Sequence, residues 1–110
     1  MKGDHIGEFE ELVLLAVQAL GGDAYGVAVQ GLLERETTRP VSIGAVYAAL
    51  DRLEAKGLVR SRVTAGTPVR GGRSRRAFTP TQAGLRALAT VRRVRERLAR
   101  AAHGPARGRS

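Results

Sequence analysis

Apolar positions recur at helical spacing in four stretches of the chain and partly alternate with polar ones in a fifth. The most regular stretch is SIGAVYAALDRLEAKGLVRSR, residues 42–62, where Ile43, Val46, Leu50 and Leu53 gather on one face at about 100° per residue. Ser42 precedes them, placed to accept a hydrogen bond from an unpaired amide of the first turn. Gly57 ends the helix as a left-handed cap, and Leu58 and Val59 then begin a strand. The opposite face carries Gly44, Ala48, Asp51 and Arg52, with Tyr47 on its shoulder, and is narrow enough to enter a groove.

Two helices are expected before this one. Residues 7–20 place Phe9, Leu12, Val13, Ala16 and Leu20 in one stripe, with Glu8, Glu10 and Glu11 at the end where the helix dipole favours anions. Leu14, Leu15 and Val17 fall outside that stripe, and a helix apolar on every side calls for a second chain to bury Leu14 and its neighbours. Gly21-Gly22-Asp23 is a turn with Asp23 as a candidate cap. The next helix, residues 24–36, is expected to bury Val27, Ala28, Leu32 and Leu33. Gly26 and Gly31 weaken that helix by about 1 kcal/mol each, so a close approach is expected to explain them. Tyr25 stands in its first turn, either beside exposed amides where a phenol holds a phosphate or as a half-buried packing residue. Helix, helix, turn, helix is the order of a helix-turn-helix.

Beyond Gly57, residues 58–63 read as an exposed strand with basic residues outward, and residues 64–68 as a turn. Arg70-Gly71-Gly72-Arg73-Ser74-Arg75-Arg76 forms a glycine-arginine tip leading into a second strand, Ala77 to Thr79. Arg70, Arg73, Arg75 and Arg76 can grip phosphates there, and the alternative is a solvated loop. Thr81 caps a final helix, residues 82–102, on which Leu88, Val91, Leu98 and Ala102 form a broad seam interrupted by Arg95. The fold expected is mainly α with a small β-hairpin: a winged helix-turn-helix followed by a long C-terminal helix.

Charge sharpens the functional reading. The 110 residues carry 19 Lys and Arg against 10 Asp and Glu, a formal net charge of +9, which points to a polyanionic partner and to nucleic acid first. The absence of cysteine excludes disulfides and thiolate chemistry and fits a cytoplasmic location. Two histidines at opposite ends make no metal site, and no cofactor is expected. No apolar run approaches the roughly 18 residues of a membrane span, so no membrane partner is expected. Paired carboxylates, a Ser/His/Asp grouping and a phosphate loop with its lysine are all missing, which argues against an enzyme.

Taken in order, several segments resemble the PadR family of bacterial transcriptional regulators, particularly its short members with a single C-terminal helix. They are GEFEELVLL at residues 7–15, DAYGV at 23–27, VSIGAVYAALDRLEAKGLV at 41–59, RGGR at 70–73 and TQAG at 81–84. The resemblance implies a homodimeric winged-helix repressor on double-stranded DNA with an inverted-repeat operator. It implies a DNA-binding domain (residues 6–80) and a dimerisation helix (81–103), and the Gly-, Pro- and Arg-rich composition of residues 104–110 predicts a disordered tail. Ser42, Gly44, Tyr47, Ala48 and Arg52 would lie on the reading helix, Arg73 and Arg75 on the wing and Tyr25 near a phosphate. Leu14, Leu88, Val91 and Leu98 are the candidate dimer contacts. One departure is visible: the family usually has two aromatics and an aliphatic residue in the second wing strand. Here the run is Ala77-Phe78-Thr79-Pro80, so a short strand is expected.

Arg52 is the best-placed base or phosphate contact of the reading helix, and its alternative is an ion pair with Asp51, Glu54 or another surface acid. Members of the family respond to phenolic acids, to cationic drugs held between subunits, or to no known ligand. With Phe9, Tyr25, Tyr47 and Phe78 as its aromatics, this chain is poorly supplied to sandwich a flat drug, and a small-molecule effector of unspecified identity stays open. Two rivals from other classes also stay open: a non-specific architectural nucleic-acid-binding protein, and an interaction module whose basic tail meets an acidic protein or a membrane surface.

Overall fold

The computed structural model describes residues 6–64 and 75–104. The expected leader, the tip holding Arg70 and Arg73, and the tail from residue 105 onward lie outside the described residues. Helix α1 is Glu8–Leu20, and its first turn holds the three acids expected there. It runs through the middle of the domain, against α2 (Gly26–Thr37), α3 (Ile43–Ala55), the second hairpin strand and α4 (Gln82–His103). That position answers the question raised by its apolar girth. Leu14 is 0 % exposed in this chain's own core, with Val13, Ala16 and Val17, and waits for no second chain.

In α2 the buried row is Gly26, Val29 and Leu33, and Val27, expected inside, is 63 % exposed. Gly26 sets this phase, because a Cβ there would overlap the Tyr47 ring, whereas Gly31 meets nothing closer than an Arg35 nitrogen at 3.9 Å. The close approach therefore accounts for one of the two glycines. Asp23 caps nothing by its side chain; it ends a 3-10 turn, Gly21–Asp23, and its carbonyl accepts the Tyr25 amide at 2.9 Å.

Thr38, at φ 55°, closes α2. Two α2 side chains then satisfy both backbone groups of Val41 in the turn: Gln30 Nε2 donates to its carbonyl and its amide donates to Glu34 Oε2, each at 2.9 Å. The Ser42 hydroxyl accepts the Ala45 amide at 3.1 Å, and α3 buries Val46, Ala49, Leu50 and Leu53. Gly57 has φ +76°, the left-handed conformation expected of it.

Strands β1 (Val59–Thr64) and β2 (Arg75–Pro80) pair antiparallel from Val59↔Pro80 to Thr64↔Arg75. The second strand is thus not short, and Pro80 takes part. The Phe78 amide donates to the Ala24 carbonyl, away from β1. Pro80, two residues on, faces the same way, so the ladder to β1 does not need the amide that proline lacks. Phe78 is fully buried and, as the single aromatic of the strand, fills the centre of the core.

Thr81 joins the hairpin to α4 and ties it to the exit of α3. Its amide donates to the Leu58 carbonyl (3.0 Å), its hydroxyl donates to the Gly57 carbonyl (2.7 Å), and the same hydroxyl oxygen accepts the Gly84 amide (3.0 Å). Gly84 packs on this junction so closely that a Cβ would overlap the Leu58 carbonyl oxygen. Only Gly84 and Leu88 of α4 are buried, and the helix then leaves the body of the domain.

Candidate nucleic-acid interface

The outer face of α3 carries Gly44, Ala45, Ala48, Asp51, Arg52 and Ala55, all exposed, with Ser42 at its start. Four of these six are glycine or alanine, which on a solvated helix leaves a low ridge over which another surface can close. Tyr47 borders the ridge, its ring lying on Gly26 at the start of α2. Tyr25, next to Gly26, is half-buried, and the Arg75 guanidinium stacks 4.0 Å above its ring. Tyr25, Tyr47 and Arg75 are therefore brought together at the N-terminus of α2, where the unpaired amides and the helix dipole favour an anion.

The hairpin has two faces of different character. Val59, Ser61, Arg76 and Phe78 point towards the core and α3; Arg60, Arg62 and Arg75 lie on the other face. Glu54 of α3 binds the inner face, accepting from the Ser61 hydroxyl at 2.7 Å and from Arg76 Nη2 at 2.8 Å, while Asp51 lies 3.5 Å from Arg76. Arg76, expected as a phosphate grip, is a clip between the hairpin and α3. The Ser61 hydrogen bond lowers the Glu54 pKa, partial burial opposes it, and the Arg76 charge adds to the lowering.

Of the two readings of Arg52, the ion pair is the one present in the structure. Its Nε donates to Glu10 Oε2 at 2.7 Å, yet the side chain stays 53 % exposed. The acid is not Asp51 or Glu54 but a residue of α1, and its second oxygen accepts from Lys56 Nζ at 2.7 Å. Glu10 itself is 7 % exposed. Burial pushes its pKa up, but the hydrogen bonds from Lys56 and Arg52, with the Lys56 charge and the Gly7 amide, outweigh this and hold the carboxyl below its ordinary value.

A stability prediction follows in sign from that shift. The folded-state pKa lies below the unfolded one, so the contribution is complete above the ordinary glutamate range and is lost as pH falls through the lowered folded value. Thermal unfolding followed from about pH 7 to about pH 3 is expected to show Glu10→Gln less stable by about 1–3 kcal/mol at neutral pH, with the gap narrowing at the acid end. A gap independent of pH would contradict this account.

The candidate dimer contacts divide. Leu14 and Leu88 are covered by this chain itself, Leu88 at 8 % exposure. Val91 is half-buried, whereas Val94 and Leu98 are exposed on α4 and Leu12 and Leu15 on α1. Leu15, Leu85, Leu88 and Ala99 line a groove between the two helices, and Arg95 crosses to Glu11 Oε1 at 2.8 Å.

Sequence reasoning missed Glu10, Lys56 and the Glu54 clip. Glu10 is the middle of three first-turn acids and carries no mark that separates it from its neighbours. The signal that points to it is the pair Arg52 and Lys56, two cations four residues apart that call for a shared acid. Among the described residues no group of three or more His, Cys, Asp or Glu side chains is placed to hold a metal ion, and no helix is long and apolar enough to cross a membrane. The arrangement offers shape and positive charge for binding.

Residues 13–90 match the family described as Transcriptional regulator PadR-like family. No curated protein matches the sequence. Among solved structures, a PadR family transcriptional regulator from Eggerthella lenta is similar at 28 % identity, with 83 % of this chain and 74 % of that chain covered and a TM-score of 0.68. A PadR-like transcriptional regulator from Bacillus cereus shares the fold at 20 % identity, covering 92 % and 93 % of the two chains with a TM-score of 0.70. Bacillus subtilis PadR, solved in complex with operator DNA, is similar at 16 % identity over 76 % of this chain and 46 % of that one, with a TM-score of 0.64.

Proposed function

Because the chain belongs to the PadR-like family of transcriptional regulators, which are not enzymes, we propose that it binds double-stranded DNA in the cytoplasm as a homodimeric repressor at an inverted-repeat operator. The observation that carries this reading is the low, exposed ridge of α3, flanked by the Tyr25–Tyr47–Arg75 cluster and by the basic face of the hairpin. Residues 6–80 form the DNA-binding unit. Its α3 enters the major groove with Ser42, Gly44, Ala48 and Arg52 facing the bases. Tyr25, Tyr47 and Arg75 meet the backbone beside it, joined by Arg70 and Arg73 from outside the described residues. Residues 81–103 dimerise through Val91, Val94 and Leu98 of α4, and two-fold symmetry then sets half-sites about one helical turn apart.

The test is binding to DNA from upstream of the protein's own gene against a scrambled duplex of equal length. A preference of about 10³-fold or more at near-physiological salt is expected of a sequence-specific regulator. Equal affinity for every duplex, including those enriched from a random pool, would instead identify a non-specific architectural protein.

A further inference from the structure

Glu10 is the one buried charged side chain among the described residues, and it lies in α1, outside the helix-turn-helix. Burying a carboxylate is costly, and an apolar residue of similar size often stabilises a core as well or better. Where such a group persists, its partners show what it holds in place. One is Lys56, at the end of α3; the other is Arg52, on the exposed face proposed to meet DNA. Held by Glu10 through Nε, the guanidinium is oriented with its Nη1/Nη2 edge away from that bond, where it can make an end-on bidentate contact with guanine O6 and N7 or with a phosphate. Lys56, on the second carboxylate oxygen, keeps Glu10 from swinging away with the arginine.

We infer that Glu10 is a positioning residue for DNA recognition: from α1 it holds the Arg52 guanidinium so that its terminal edge faces the duplex. This rests on the regulator reading above. Pre-setting the fork reduces the side-chain freedom lost on binding, so its effect falls on selectivity for the right sequence rather than on general attraction to DNA. Charge alone makes the opposite prediction. Glu10 is an anion near a polyanion, and removing it should then strengthen binding to every duplex alike.

The experiment uses the full chain and DNA enriched from a randomised pool by the wild-type protein, with a scrambled duplex as reference. Glu10→Gln is expected to lower the ratio of the two affinities about tenfold, and Arg52→Ala by a similar factor. The double variant should be no worse than Arg52→Ala, because Glu10 acts through Arg52. Lys56→Ala keeps the Glu10–Arg52 bond but removes the brace on the carboxylate, and should lower the ratio by less than Glu10→Gln does. Arg52→Lys changes nothing in the core and covers the case in which Glu10→Gln fails to fold. It keeps a cation beside Glu10 but loses the fork, and should lose the same selectivity. Equal gains on both duplexes with Glu10→Gln, or an unchanged ratio with Arg52→Lys, would overturn the inference while leaving the regulator standing. A wild-type protein that enriches no sequence would remove the regulator reading and this inference together.

Discussion

DNA affinity is expected to fall by about 10³–10⁵-fold between roughly 50 and 200 mM salt. The outward cations of the described hairpin are Arg60, Arg62 and Arg75, and Arg70 and Arg73 are expected to join them from outside the described residues. Arg52 and Arg76 are not counted, because Glu10 already pairs with the one and Glu54 and Asp51 with the other. Three to five phosphate contacts from each protomer of the proposed dimer make about 6–10, and a plot of log affinity against log salt should then slope by about −0.9 per contact. The measurement is a fluorescence-anisotropy titration on one duplex across that range. A slope shallower than about −3 would mean that the basic surfaces do not lie on the backbone, whatever the sequence preference.

Alanine in place of Gly84 is expected to destabilise the domain by about 3 kcal/mol or more, although alanine favours a helix interior by about 1 kcal/mol. The added methyl meets the Leu58 carbonyl oxygen, part of the backbone, which cannot rotate out of the way as a side chain does. That carbonyl also accepts the Thr81 amide, so the shift needed to admit the methyl breaks the joint holding α4 to the exit of α3. Gly31→Ala is the internal control. Its site is open, and it should be neutral or gain up to about 1 kcal/mol. Denaturant unfolding of both variants checks the pair, and equal stabilities would refute the packing argument.

Both glycines stand at helical positions in the sequence, and nothing in their neighbours distinguishes a glycine wanted for closeness from one merely tolerated. Features set by residues near in sequence were legible: the Ser42 and Thr81 caps, the left-handed Gly57 and the limits of α3 each depend on a few adjacent residues. Features set by packing were not. The phase of α2 turned on Tyr47, more than twenty residues away in the chain, and put Val27 outside. Leu14 was assigned to a partner because its helix is apolar on several sides, but α1 is central and its own chain supplies the cover. Pro80 argued for a short strand because proline lacks an amide, and only the register shows that the ladder never needed it there. For the candidate site, the residue types on α3 and the hairpin were readable in advance; the carboxylate gripping Arg52, forty-two residues upstream, was not.

The bolted root of α4 has a mechanical meaning. A helix of 22 residues is about 33 Å long, so a tilt of 10° at an unsupported root would move its far end by about 6 Å. Here the root is fixed by Thr81 and Gly84, and the Arg95–Glu11 bond acts as a stay farther along. The arm beyond that bond is the last two turns, and in the proposed dimer the tilt of each arm would displace the partner's α3 along the duplex. For the proposed dimer joined through these arms, the span between the two α3 helices would depend on stiffness present in each subunit before DNA arrives.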